Sequence, residues 1–239
     1  MNAKMVIAPA NVESFKSIFN SINTIVDTIT FECYPDRVEI NTLDKSKTTF
    51  ISCVMDSRYF DEYSCNEPDR FNIDTTEFRK IIKSCKDDLS LEFDNEYIHI
   101  HSTTKRFKLY QVNDDLASPK PPSLDYVVRF TIPFKHLKEV VKDIELFAKD
   151  ITVNASNNQV NFTTSGTAGE YCDTCTVDGD FSPKTVKLST EKLLTCLGSN
   201  KVSDEIEVHI ETDMPFLMYQ KAEGICMMYM IAPMIDVSD

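Results

Sequence analysis

The stretch TEFRKIIKSCK, residues 76–86, decides how the rest of the chain is read. Phe78, Ile81, Ile82 and Cys85 recur at helical spacing, and Arg79, Lys80, Lys83 and Lys86 fall on the other side. The preceding Asp74-Thr75-Thr76-Glu77 is rich in N-cap residues, so a helix with one apolar and one basic face starts there. The same design occurs three more times. VESFKSIFNSINTIV (12–26) places Phe15, Ile18, Phe19, Ile22, Ile25 and Val26 on one stripe and Lys16 off it. PFKHLKEVVKD (133–143) sets Phe134, Leu137, Val140 and Val141, with Ile144 beyond, against Lys135, Lys138 and Lys142. TEKLLTCLGSNK (190–201) turns Leu193, Leu194 and Leu197 inward, keeps Lys192, and places Lys201 beyond a Gly198 stop. A unit returning at roughly 60-residue intervals predicts a pseudo-symmetric assembly rather than one irregular pocket.

Between these helices the period changes to two. RVEINTL, TTFISCVM, LSLEF, YIHIHS, RFKLYQV, ITVNA, QVNFTTS, YCDTCTV, EIEVHIE, FLMYQ and CMMYMIA each read as a strand. Tyr34-Pro35-Asp36, Asp94-Asn95, Asn157-Asn158 and Glu223-Gly224 read as turns between hairpin partners. Helix followed by antiparallel strands, four times over, is an α+β fold with helices on one face of largely antiparallel sheets. NDDLASPKPPSLD (113–125) carries three prolines and suits neither a helix nor a central strand. It is read as a connector between a domain at 1–112 and a second at 126–239.

The chain has 239 residues, 42% of them apolar, and no apolar run near the ~20 residues that span a bilayer. Its start is too weakly apolar for a signal peptide, so a soluble protein is expected, neither secreted nor membrane-bound. The eight cysteines have irregular spacings and read as reduced, half-buried side chains. Cys172 and Cys175 form a CxxC, but strand positions three apart face opposite ways, so no metal or cofactor is expected. The net charge is −13, yet the segments 12–26, 77–86, 135–143 and 191–201 together carry +5, leaving −18 elsewhere. An acidic body with basic helices can show one positive surface to a polyanion. No P-loop, GxGxxG, GxSxG or HExxH is present, and no catalytic residue is assigned. His99 and His101 share one strand face, and His136 and His209 lie elsewhere in the sequence; the pair is read as a solvated face. Asp87-Asp88 and Asp114-Asp115 are read as turn and linker acids.

Three stretches carry a resemblance: residues 37–60 (RVEINTLDKSKTTFISCVMDSRYF), 64–83 (SCNEPDRFNIDTTEFRKIIK) and 229–236 (YMIAPMID). With the Leu43-Asp44 step, Ala232-Pro233 and the four-fold layout, the chain resembles the proliferating cell nuclear antigen (PCNA) family of DNA sliding clamps over its whole length. The resemblance implies the clamp fold: two similar domains, each a doubled helix-plus-strands unit. It also implies a homotrimer closing into a pseudo-six-fold ring around duplex DNA. Lys16, Lys80, Lys83 and Lys142 match basic lining positions of the family, and Lys86, Lys138, Lys192 and Lys201 join them from the same helix faces. Ring closure is implied between residues 105–112, with Lys105, Arg106, Lys108 and Tyr110, and residues 170–178 of the next subunit, with Glu170, Cys172, Asp173, Cys175 and Asp178.

Partners of the family dock through a short hydrophobic motif, the PIP box. The matching pocket residues are Leu43, Pro215, Met230, Ile231, Ala232 and Pro233, with Lys47 and Phe50 nearby. Met230 departs from the aromatic common there, and Pro119 and Pro121 replace aliphatic residues, leaving Leu116 and Leu124 as connector contacts. Asn157 stands roughly where eukaryotic members carry a regulated lysine. The implied function is a non-enzymatic processivity factor that tethers a DNA polymerase, is opened by a clamp loader, and recruits PIP-box proteins such as flap nuclease and DNA ligase. Its place is nuclear in a eukaryote or a virus acting there, and cytoplasmic in an archaeon or a viral factory. Two rivals stay open: a monomeric or heterotrimeric clamp-like subunit, and a peptide-binding module without a DNA role.

Overall fold

A computed structural model describes residues 2–86, 88–112, 118–198 and 202–235, with only the backbone of Asp180. The chain divides into two compact units: Met1–Lys47 with Ile51–Pro121 and Lys221–Met227, and Thr48–Phe50 with Pro122–Gln220 and Met228–Asp239. Most of β1 (Ala3–Ile7), α1 (Val12–Asn23), β2 (Thr28–Cys33), β3 (Arg37–Leu43), β4 (Thr49–Asp56), β5 (Phe60–Cys65), β6 (Asp69–Asp74), α2 (Thr75–Ser84), β7 (Leu89–Phe93), β8 (Tyr97–His101) and β9 (Arg106–Tyr110) falls in the first unit. The remaining elements are β10 (Val128–Pro133), α3 (Phe134–Glu145), β11 (Asp150–Gly166), β12 (Gly169–Ser189), α4 (Thr190–Leu197), β13 (Glu205–Ile210), β14 (Phe216–Ala222) and β15 (Ile225–Ile231). The fold is α+β, and no helix among the described residues is long and apolar enough to cross a membrane.

In the first unit, β1 is flanked by β5 and β7, and the sheet continues through β8 to β9 at its edge, every pair antiparallel. β2 pairs with both β3 and β6. Alternation builds these strands: Met5, Leu91, Ile98 and Ile100 are fully buried, while Lys4, Glu92 and His99 between them are not. α2 starts where the N-cap signal places it, with Asp74 accepting a hydrogen bond from the Glu77 amide at 2.8 Å. The inner faces of α1 and α2 meet through rings. Phe19 lies 4.9 Å from Phe78, 4.7 Å from Phe15 and 5.5 Å from Phe31, and Phe93 joins Phe31 to Phe71.

In the second unit, β13 pairs with β10 and β14, and β11 with β12, all antiparallel. Leu137, Val140, Val141 and Ile144 of α3 and Leu193, Cys196 and Leu197 of α4 are buried. Cys196 takes the inward place expected for Leu194, which is half-buried. Ile25 and Val26 lie past the end of α1.

A turn expectation also fails. Asn157-Asn158 is not a hairpin turn, and ITVNA and QVNFTTS are successive parts of one strand, β11. Both parts pair with β12, Ala155 opposite Lys184 and Gln159 opposite Thr176, with register shifts on each side of Asn157. Asparagine tolerates left-handed backbone, which serves turns and bulges alike; here, at φ 51°, it makes a bulge. The facing strand has its own irregular point at Gly179, φ 134°, where a Cβ would lie 2.3 Å from the Phe181 ring.

Candidate functional site

The outer faces of the helices differ from one another. α2 carries Arg79, Lys80 and Lys83 against Glu77, a formal +2, with Lys86 just beyond it. The other three balance: Glu13 with Lys16 on α1, Glu191 with Lys192 on α4, and Lys135, Lys138 and Lys142 with Glu139, Asp143 and Glu145 on α3. Lys80, Lys83, Lys86 and Lys142 are exposed, and Lys80 Nζ lies 2.8 Å from Glu77 in an i,i+3 pair open to water. Such pairs are worth little and yield readily to a stronger anion.

Other basic residues are tied into the chain. The Lys16 side chain is 11% exposed, with Nζ 2.7 Å from Glu13 and donating to the Lys86 carbonyl at 3.1 Å. Arg79 is half-buried and donates weakly to Asn20 on α1 at 3.4 Å. Lys138 donates to the Gly198 carbonyl at the end of α4, where the helix leaves unpaired acceptors. Burial lowers the Lys138 pKa, and the nearby Lys142 charge lowers it further. Lys192 is half-buried and has partners of its own; Lys201 lies outside the described residues.

The two strands expected at subunit contacts are both described. β9 is the edge of its sheet, bonded only to β8 among the described residues. Arg106, Lys108 and Tyr110 are exposed on it, Tyr110 by 72%. Lys108 Nζ sits 3.3 Å over the Tyr97 ring, and Lys105 in the preceding turn donates to the Ser84 carbonyl at 2.7 Å. In β12, Glu170 and Cys172 are exposed and Cys175 is half-buried, its pKa raised by burial and then by Asp173. Asp173 lies 3.0 Å from His136 of α3, so this acid has a neighbour within its own unit. The alternating exposure along residues 171–176 sets Cys172 and Cys175 on opposite faces. Among the described residues no three His, Cys, Asp or Glu side chains converge on a metal position.

The residues expected at the docking pocket separate into open and closed groups. In the first unit, Leu43 is 36% exposed, and Lys47 is exposed at φ 57° in a turn closed by its amide on the Asp44 carbonyl. In the second, Phe50 and Met230 are buried with Tyr126, Leu217 and Met228, and Leu124, Met214 and Tyr219 pack against them. Tyr126 donates to the Pro215 carbonyl at 2.7 Å, and burial pushes its phenol up to about 12. Ile231 is fully buried, while Ala232 and Pro233 are half-buried, with the Ala232 amide on the Thr48 carbonyl at 2.8 Å. Leu116 lies outside the described residues. Tyr126, Leu217 and Met228 were missed, although the alternation in FLMYQ and CMMYMIA marks the latter two as strand positions.

His99 and His101 stand half-exposed on β8 with rings 6.4 Å apart. His99 is 3.0 Å from Asp94 and His101 3.9 Å from Glu92. Asp94 is held at about 2, chiefly by the Glu96 amide, with His99 and the Tyr97 amide adding to the effect. These are acid–imidazole pairs of a wet strand face.

Residues 5–114 match the family described as proliferating cell nuclear antigen, N-terminal domain. The DNA polymerase sliding clamp of Methanothermobacter thermautotrophicus is 28% identical over 236 residues, covering 94% of this chain and 95% of that protein. The proliferating cell nuclear antigen of Saccharomyces cerevisiae is 21% identical over 243 residues, covering 92% and 93%. The crystal structure of the proliferating cellular nuclear antigen from Entamoeba histolytica has the same fold, with a TM-score of 0.90 at 20% identity over 98% of this chain and 99% of that one. The corresponding protein of Thermococcus kodakaraensis gives 0.88 at 19% identity, over 97% and 100%.

Proposed function

We propose that the chain is a member of the proliferating cell nuclear antigen family of DNA sliding clamps and works as a non-enzymatic processivity factor; the matches over residues 5–114 and to the Methanothermobacter thermautotrophicus clamp support this reading. Three copies close head to tail around duplex DNA and tether a DNA polymerase to its template. The observation that carries this reading is the basic outer face of α2 on an otherwise acidic chain of net charge −13. Lys80, Lys83 and Lys86 meet phosphates without reading bases, so the ring holds DNA and still slides. Lys142 adds a contact from α3. Lys16 and Lys138, already bonded within the chain, set helix positions and act on DNA at longer range; Lys192 and Lys201 are assigned the same role by the family resemblance.

Closure joins the open edge of β9 to residues 170–178 of the next copy. Arg106, Lys108 and Tyr110 face Glu170, Cys172, Cys175 and Asp178, with Lys105 and Asp173 beside them, so unlike charges meet. Partners dock by apolar plugs, for which Leu43, Lys47 and Leu116 are the proposed contacts of the first unit and Phe50, Leu124, Pro215, Met230, Ile231, Ala232 and Pro233 those of the second. Flap nuclease, DNA ligase and the clamp loader are the partner classes expected there. Confinement on the template raises the polymerase's effective concentration at the primer end without a tight protein–DNA contact.

Light scattering over a concentration series tests the ring. A mass of about 82 kDa, three times the 27.3 kDa chain, supports it. A monomer at all concentrations transfers the reading to a single or heterotrimeric clamp-like subunit. Polymerase stimulation that is unchanged by Lys80→Glu with Lys83→Glu removes the DNA role and leaves a peptide-binding module.

A further inference from the structure

We propose that a recess in the first unit is a subsite for the phenol of a tyrosine side chain, and that Asn41 and Ser118 select it. The recess has a volume of about 230 Å³ and is bounded by β2, β3 and the Ser118-Pro119 segment. Its apolar lining includes Val26, Leu43 and Pro119, and its polar lining Asn41, Thr42 and Ser118. Asn41 is 7% exposed. Its Oδ1, like Ser118 Oγ, is buried with no hydrogen-bond partner among the described residues. Thr30 at the same recess is satisfied, donating from Oγ1 to Asn72 Oδ1 at 2.6 Å. Buried polar atoms without partners are rare in native proteins, and two at one recess mark a place where an occupant supplies what the chain does not.

Size and chemistry narrow the occupant. Pockets for drug-sized molecules run to about 300–1,000 Å³, so this one suits a single large side chain. No lining residue is charged, so an ammonium or carboxylate would be desolvated without a counter-charge. A purely apolar plug would leave both oxygens unanswered. A phenol answers both: its ring lies on Val26, Leu43 and Pro119, while its O–H donates to Asn41 Oδ1 and its oxygen accepts from the Ser118 hydroxyl. A site built to bond a hydroxyl discriminates against the analogue that lacks it, so tyrosine is preferred over phenylalanine. The biological meaning rests on the partner-docking part of the proposed function; the preference itself belongs to the recess.

The test titrates the full chain with p-cresol and with toluene, the bare side chains of tyrosine and phenylalanine, following the Asn41 side-chain amide by NMR. The expected result is p-cresol binding about tenfold more tightly, a difference of about 1.4 kcal/mol. In Ser118→Ala the preference falls to within about twofold while toluene is unaffected, and Asn41→Leu does the same if it folds. Equal affinities in the unaltered protein, tighter binding of propionamide, or shifts confined to other residues would overturn the inference. Because neither DNA nor a trimer is involved, such failure leaves polymerase stimulation standing, and loss of stimulation leaves the phenol preference standing.

Discussion

The two units solve one packing problem with different materials. In the first, α1 and α2 meet the sheet through a chain of rings from Phe15 through Phe19, Phe78 and Phe31 to Phe93 and Phe71. In the second, the same helix-on-strand arrangement closes over Leu137, Val141, Ile151, Val160, Leu188 and Leu193, with Phe162 as a buried ring. Their outer faces differ as well: α2 has a net positive charge, whereas α3 and α4 balance theirs. Repetition of a backbone plan therefore does not imply repetition of energetics. If the proposed ring forms, most of its DNA attraction falls on α2 of each copy.

The contrast in the cores is the easiest to break. Phe78→Ala removes a ring in contact with Phe19 and Phe31 and should cost about 3–5 kcal/mol. Val141→Ala, equally buried, removes far less and should cost about 2 kcal/mol. Urea midpoints at constant slope measure both, and equal losses would show that the ring chain carries no special weight.

The contrast in charge is tested on DNA. Lys80→Glu with Lys83→Glu should abolish most polymerase stimulation and flatten the log–log salt dependence by roughly 1–2 per subunit. Lys135→Glu with Lys142→Glu, on the self-balanced helix, should flatten it by under about 1. Equal effects would mean that the acids of α3 do not offset its lysines.

A finer comparison separates two lysines of one helix. Lys138→Gln removes a bond to the Gly198 carbonyl and should cost about 1 kcal/mol of stability, discounted for its half-exposed site. Lys142→Gln should leave thermal stability within about 0.5 kcal/mol and weaken stimulation more. The reverse order would make Lys138 the contact and Lys142 the brace.

What was legible in the sequence follows from the range of the forces involved. Helix faces and strand alternation depend on neighbours three, four or two positions away, so Phe78-Ile82, Leu137-Val141 and the β8 pattern could be read directly. The fate of a long basic side chain depends on what lies at its tip. Lys16 ends on the Lys86 carbonyl, Lys138 on Gly198 and Lys105 on Ser84, each set by tertiary distance rather than local pattern. Asn157 was misread because its backbone freedom serves a turn and a bulge equally. At the proposed docking surface, Phe50 and Met230 come from the family resemblance, and their burial, with Leu124, Met214 and Tyr219 packed against them, comes from packing among distant segments.

The smallest expected effect concerns the wet strand face of the first unit. Asp94 is held at about 2, first by the Glu96 amide, whereas an unfolded aspartate titrates near 3.9. A carboxyl with a depressed folded-state pKa contributes stability above the unfolded value and loses it as pH falls through the folded one. Asp94→Asn should therefore lower stability at pH 7 by under about 1 kcal/mol, because the group is open to solvent. The difference from the unaltered chain should shrink as pH falls from about 4 towards 2, a window fixed by those two values. Glu207→Gln, which alters the pair with His209 at 2.6 Å in the second unit, is the comparison variant. Melting temperatures of both variants at pH 7, 4 and 3 decide the matter: an Asp94→Asn deficit that stays constant over that range would show that the pair contributes through packing and not through charge.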